Sequence, residues 1–106
     1  MSLLRCRFLA AMAVFLAVAG PACAVTITVT IDKLAFVPAE VDAKVGDTIE
    51  WVNKDPFTHT ATVDKAWEVV VAPNTTGRIV LQQAGGVDYY CRFHPNMKGR
   101  IVVTSP

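Results

Sequence analysis

From Val25 to Ile31 the chain alternates without a break, valine and isoleucine at the odd positions and threonine between them. A strand sends successive side chains to opposite faces, so this pattern predicts a half-buried strand with one aliphatic face. The same short-period texture recurs to the end of the chain. Leu34 to Phe36 is brief, apolar and stopped by Pro38; Glu40 to Val45 follows, and Gly46-Asp47 turns the chain into Thr48–Asn53, where Ile49 and Val52 frame Trp51. Further strand-like runs are Thr58 to Val63, Val69 to Val71, Arg78 to Leu81, Val87 to Cys91 and Arg100 to Thr104. Turn-forming clusters separate them: Lys54-Asp55-Pro56, Pro73-Asn74, Ala84-Gly85-Gly86 and Pro95-Asn96. No stretch sustains a helical period, so the expectation is an all-β sandwich of seven to eight short strands.

The first residues do not belong to that pattern. Arg5 and Arg7 precede an unbroken apolar run of 13 residues from Phe8 to Gly20, followed by Pro21-Ala22-Cys23-Ala24. A basic start, an apolar middle and small residues before a cut describe a secretory signal peptide over residues 1–24, with the globular domain at 25–106. A membrane-spanning helix needs about 20 apolar residues. The run is too short for one, and the expected mature form has no span. Cys23 offers the alternative of lipid attachment, against which stands Gly20-Pro21-Ala22 in place of a leucine-like residue. Cys6 separates the two arginines, so a twin-arginine signal is absent.

Without residues 1–24, eight basic residues face nine acidic ones. That near-neutral balance gives no sign of nucleic-acid binding. Cys6 and Cys23 fall in the signal, which leaves Cys91 alone in the domain. A single thiol in an oxidising compartment has no partner for a disulfide and is open to oxidation unless something occupies it.

Around Cys91 the chain reads Asp88-Tyr-Tyr-Cys91-Arg-Phe-His94-Pro-Asn-Met97-Lys-Gly99, with cysteine, histidine and methionine at successive spacings of three. A thiolate, an imidazole and a thioether form a soft donor set suited to copper. Two histidines and a cysteine with a weak axial methionine are the blue-copper arrangement. The missing donor is a second histidine, and the chain has only one other, His59, which follows the Asp55-Pro56 loop. A sandwich gathers loops from distant strands at one end, so the two loops can meet there. Taken singly, His59 could as well be a surface histidine and Met97 core filler. Taken together with Cys91 and His94, they close a complete metal set of His59, Cys91, His94 and Met97. Zinc could use the cysteine and histidines, but the thioether suits it poorly.

These residues resemble the cupredoxin family. The likeness rests on Gly46-Asp47-Thr48, on Trp51-Val-Asn53-Lys-Asp55 with His59, and on Tyr89-Tyr-Cys91-Arg-Phe-His94-Pro-Asn-Met97-Lys-Gly99-Arg-Ile-Val-Val103, and it covers residues 25–106. The resemblance implies a Greek-key β-sandwich and one type 1 copper ion. It implies a monomer that is not an enzyme and carries single electrons between redox proteins, such as a periplasmic dehydrogenase and a c-type cytochrome. His94 would lie near the surface and pass the electron, and His59 would be buried. Two positions depart from the family. Thr60 stands where relatives often carry an asparagine that pins the ligand loops together, leaving a weaker pin or one made by a hydroxyl. Val87 replaces a tyrosine common four residues before the cysteine.

The alternative is a periplasmic copper carrier or chaperone, which exchanges its metal and usually holds it through several methionines or histidines. Catalysis at a second copper would need further histidines, and none are left. Lys54, Arg92, Lys98 and Arg100 lie in sequence around Phe57, Phe93 and Pro95. The expectation there is an apolar docking patch with a basic rim, favouring an acidic partner.

Overall fold

The computed structural model describes residues 23–106, and the expected signal peptide falls outside the described residues except for Cys23 and Ala24. Nine strands follow one another: β1 (Thr26–Asp32), β2 (Ala35–Val37), β3 (Glu40–Lys44), β4 (Thr48–Asn53), β5 (His59–Val63), β6 (Trp67–Val71), β7 (Thr76–Val80), β8 (Gly85–Cys91) and β9 (His94–Thr104). They form two sheets, ordered β2-β1-β4-β7 and β3-β9-β8-β5-β6, packed as a sandwich. The all-β sandwich is as expected, but it has nine strands where seven to eight were expected. Several are also longer than composition suggested. β8 begins inside the Gly85-Gly86 pair, and β9 runs through Pro95-Asn96 as an 11-residue strand from His94.

Alternation places the core. Val29 and Ile31 of β1, Ile49, Trp51 and Asn53 of β4, Tyr89 and Cys91 of β8, and Met97, Ile101 and Val103 of β9 all point inward. Trp51 and Tyr89 meet edge to face across the sheets with centroids 5.5 Å apart, and Trp51 Nε1 donates to Tyr89 Oη at 3.2 Å. That bond satisfies both polar tips inside an apolar layer. Burial pushes the Tyr89 phenol up to about 12, so it stays neutral at ordinary pH. At the turn before β4, Gly46 takes a φ of 98°, and the buried Asp47 carboxylate accepts from Val25 N (3.0 Å) and Lys44 N (2.8 Å).

Gly99 sits opposite Tyr89 in the β8–β9 register, and a Cβ there would stand 2.6 Å from Tyr89 Cε1. Gly99→Ala is therefore expected to cost about 2 kcal/mol and lower the Tm by roughly 10 °C. Calorimetry checks this, and an unchanged Tm would mean that the phenol ring has room to move. Val87 lines a cleft of about 570 Å³ with Val63, Trp67, Ile79, Leu81 and Val103. It lies toward the end of β8 opposite Cys91, so this departure from the family is remote from the ligand loops.

Candidate metal centre

Cys91 ends β8, Arg92 and Phe93 make the turn, and His94 starts β9 directly across from Cys91 in the ladder. β5 pairs with β8 through Thr62 and Tyr90, and this brings its first residue, His59, to the same end of the sheet. Three neighbouring strands thus deliver three side chains to one point. Cys91 Sγ lies 3.6 Å from His59 Nδ1 and 3.9 Å from His94 Nδ1, and the three donor atoms are all within 4.8 Å of one another. A metal at the centre of a trigonal plane, with bonds of about 2.3 Å to sulfur and about 2.0 Å to nitrogen, would set each S···N edge at about 3.7 Å. The observed edges bracket that value, so the donor set fits one first-row ion. Met97 lies three residues beyond His94, buried in the same core cluster as Cys91.

Burial differs between the two histidines. His59 and Cys91 are fully buried, whereas His94 is half-buried, with the ring of Phe57 6.2 Å from its own.

The orientation of His59 comes from Asp55, four residues earlier, which the sequence reading placed only in a loop. Its Oδ2 lies 2.9 Å from His59 Nε2, and since a carboxylate can only accept, the ring donates there and turns Nδ1 toward Cys91. Asp55 is itself held. It accepts from Lys33 N at 2.6 Å and Leu34 N at 2.9 Å, both residues having left-handed φ values of 54° and 60°. Asn53 fixes the loop from the other side, donating to Phe57 O (2.7 Å) and Val71 O (3.0 Å) while its Oδ1 accepts from Asp55 N (2.9 Å). Burial raises the Asp55 pKa, but the N–H groups of Leu34 and Lys33 and the His59 ring lower it further. The net direction is below the ordinary value. A carboxylate four residues before the candidate histidine was the available signal.

The pin between the ligand loops is made by a hydroxyl. Arg92 N donates to Thr60 Oγ1 at 2.8 Å, and Thr60 N donates to Cys91 Sγ at 3.4 Å.

The ligand end is apolar outside, with Phe57 53 % and Phe93 49 % exposed and Leu34 also exposed. The expected basic rim needs correction. Arg92 is paired with Glu68 at 2.9 Å and Arg100 with Asp88 at 2.8 Å. Asp88 and Arg100 face each other in the β8–β9 register, where opposite charges attract. Two of the four cations are thus matched by carboxylates within the molecule.

A sandwich with a His-Cys-His triangle at one end, two of its members fully buried, defines a class, and sequence comparison gives the same one. A family model described as a cupredoxin-like domain matches residues 5–103, and the chain belongs to that family. Among individual proteins it is similar to amicyanins. It is 29% identical over 84 residues to amicyanin of Paracoccus versutus and 33% identical over 82 residues to amicyanin-alpha of Methylorubrum extorquens. These matches cover 73% and 71% of this chain, and 64% and 69% of the relatives' lengths. The chain therefore spans about 64% of the length of the Paracoccus relative. The crystal structure of amicyanin from Paracoccus versutus superposes with a TM-score of 0.67 at 31% identity, covering 79% of this chain and 84% of that one. A reduced-state amicyanin mutant gives a TM-score of 0.66 at 30% identity, covering 74% and 81%.

Proposed function

We propose that this protein carries single electrons on one type 1 copper ion, which His59, Cys91, His94 and Met97 would hold. The observation that carries the reading is the convergence of one sulfur and two ring nitrogens, with S···N edges of 3.6 and 3.9 Å. Bound copper supplies the Cu(I)/Cu(II) couple. The chain supplies a rigid frame, because Asp55 locks His59 and Thr60 ties the His59 loop to the Cys91 loop. A site that cannot move needs little reorganisation when the charge on the metal changes. His94, half-buried with the exposed Phe57 ring 6.2 Å away, is the point of electron entry and exit.

A copper carrier would need accessible donors for hand-over, and two of these three are fully buried. Both histidines of the chain are engaged here, so no second copper site of the catalytic kind can be built from histidine. The protein is read as exported to the periplasm after removal of residues 1–24. Among the described residues no helix is long and apolar enough to cross a membrane. Its partners are redox proteins, a dehydrogenase as donor and a c-type cytochrome as acceptor being the pair that the family resemblance implies. With Arg92 and Arg100 internally paired, docking relies more on the apolar collar than on charge.

The visible spectrum of the copper-loaded protein tests the reading. An intense blue band is expected, and a colourless Cu(II) form would overturn it. Met97 should set the potential more than the fold, since a thioether favours Cu(I) and a harder oxygen favours Cu(II). Met97→Gln is expected to lower the midpoint potential in voltammetry, and an unchanged or higher value would show that Met97 does not hold the copper.

A further inference from the structure

The hydroxyl pin at Thr60 is one link of a closed circuit that ends on a carboxylate from another strand. Proton directions around it follow from the chemistry of its members. Arg92 N–H can only donate, so Thr60 Oγ1 accepts there at 2.8 Å. Glu68 Oε1 can only accept, so the single proton of Thr62 Oγ1 points to it, also at 2.8 Å. The 2.8 Å contact between the two hydroxyls then has Thr60 as the donor and Thr62 as the acceptor. Arg92 closes the ring with its guanidinium, Nε to Glu68 Oε1 at 2.9 Å and the terminal nitrogen to Oε2 at 3.1 Å.

An exposed ion pair alone is worth little. This one is a two-pronged arginine–carboxylate contact, and it orients two buried hydroxyls behind it. Strand register explains how the residues meet, because Thr62 pairs with Glu68 across β5–β6 and with Tyr90 across β5–β8. The arginine and Thr62 together hold the Glu68 carboxyl below its ordinary pKa, so the acceptor stays charged at neutral pH. Thr60 and Arg92 are the chain neighbours of His59 and Cys91.

We infer that Glu68 is a positioning residue for the copper centre, acting through Thr62, Thr60 and Arg92 to fix the backbone beside both ligands and to hold Thr60 N–H on the Cys91 sulfur. The inference rests on the copper reading above. Without the carboxylate, Thr62 regains a free proton, the hydroxyl pair can reverse, and Thr60 Oγ1 is no longer reserved for Arg92 N–H. The hydrogen bond to sulfur loosens with it. A thiolate that loses a donor gives more electron density to copper, which favours Cu(II).

The test compares wild type with Glu68→Ala, Thr62→Val and the conservative Thr62→Ser. In copper-free protein, amide exchange at Arg92 is expected to quicken roughly tenfold in Glu68→Ala and Thr62→Val and to return to the wild-type rate in Thr62→Ser. In copper-loaded protein the same two variants should show a lower midpoint potential and a visible band at longer wavelength, again restored in Thr62→Ser. Unchanged potential and band in Glu68→Ala would overturn the inference, even if exchange or stability changed, because Glu68 would then be structural only. A wild type with no blue band would instead sink the copper reading, and Arg92 exchange would still decide whether Glu68 holds that backbone.

Discussion

Replacing Cys91 by serine is expected to abolish the blue colour of the copper-loaded protein while leaving the sandwich folded. The colour requires electron density on sulfur to move toward Cu(II), and a hydroxyl oxygen holds its electrons too tightly to replace the thiolate. The fold has less to lose. Cys91 is fully buried at the end of β8, but serine is close to its size, and the Thr60 N–H that now points at Sγ can donate to the new oxygen. The stability change should stay near about 1 kcal/mol. Absorption and far-ultraviolet circular dichroism measured on the same sample separate the two outcomes. A variant that stays blue would place the coloured centre away from Cys91, and a variant that does not fold would make the residue structural first.

Much of the candidate site was legible because its donors are chemically distinctive. Cys91, His94 and Met97 lie within seven residues, and the chain contains only one other histidine. The strands were legible where one face is buried, as in β1 and β4, whose alternation survives intact in the structure. Legibility failed where pairing overrides local preference. Gly85 and Gly86 signal a turn, yet they pair with Val103 and Val102 in the β8–β9 ladder, whereas Pro95 and Asn96 fall in the irregularity between Tyr90↔Lys98 and Cys91↔His94. The parallel pairings of β1 with β4 and β3 with β9 also left no local mark, because they join segments separated by long connections. The supports of the site are the clearest omission. Asp55 looks like an ordinary turn residue and Glu68 like an ordinary strand charge until the fold brings them against His59, Thr62 and Arg92. The pairing of two of the four rim cations was hidden for the same reason, since the partners of Arg92 and Arg100 come from other strands.

Asp55 carries the second large expectation, and two substitutions separate its two tasks. Its carboxylate receives Lys33 N–H, Leu34 N–H and His59 Nε2–H, and these hydrogen bonds reach a buried, charged acceptor. Asp55→Ala leaves all three donors unanswered and removes the support for two left-handed residues, so a loss of about 3 kcal/mol is expected in denaturant unfolding of the copper-free protein. Asp55→Asn preserves the volume but has one oxygen where two are needed. With its amide nitrogen turned to His59, the ring must accept at Nε2 and carry its proton on Nδ1, the atom that faces Cys91. Copper affinity in a competition titration should then fall by roughly 10- to 100-fold, more than the stability loss alone accounts for. The pH dependence adds a sign. Because the folded-state pKa of Asp55 is lowered, the stability that it contributes is complete above the ordinary carboxylate value and is lost as pH falls through the lowered one. Wild type should therefore lose more stability on acidification than Asp55→Ala. Equal acid sensitivity in the two proteins, with undiminished copper affinity in Asp55→Asn, would mean that His59 is oriented by its packing and not by Asp55.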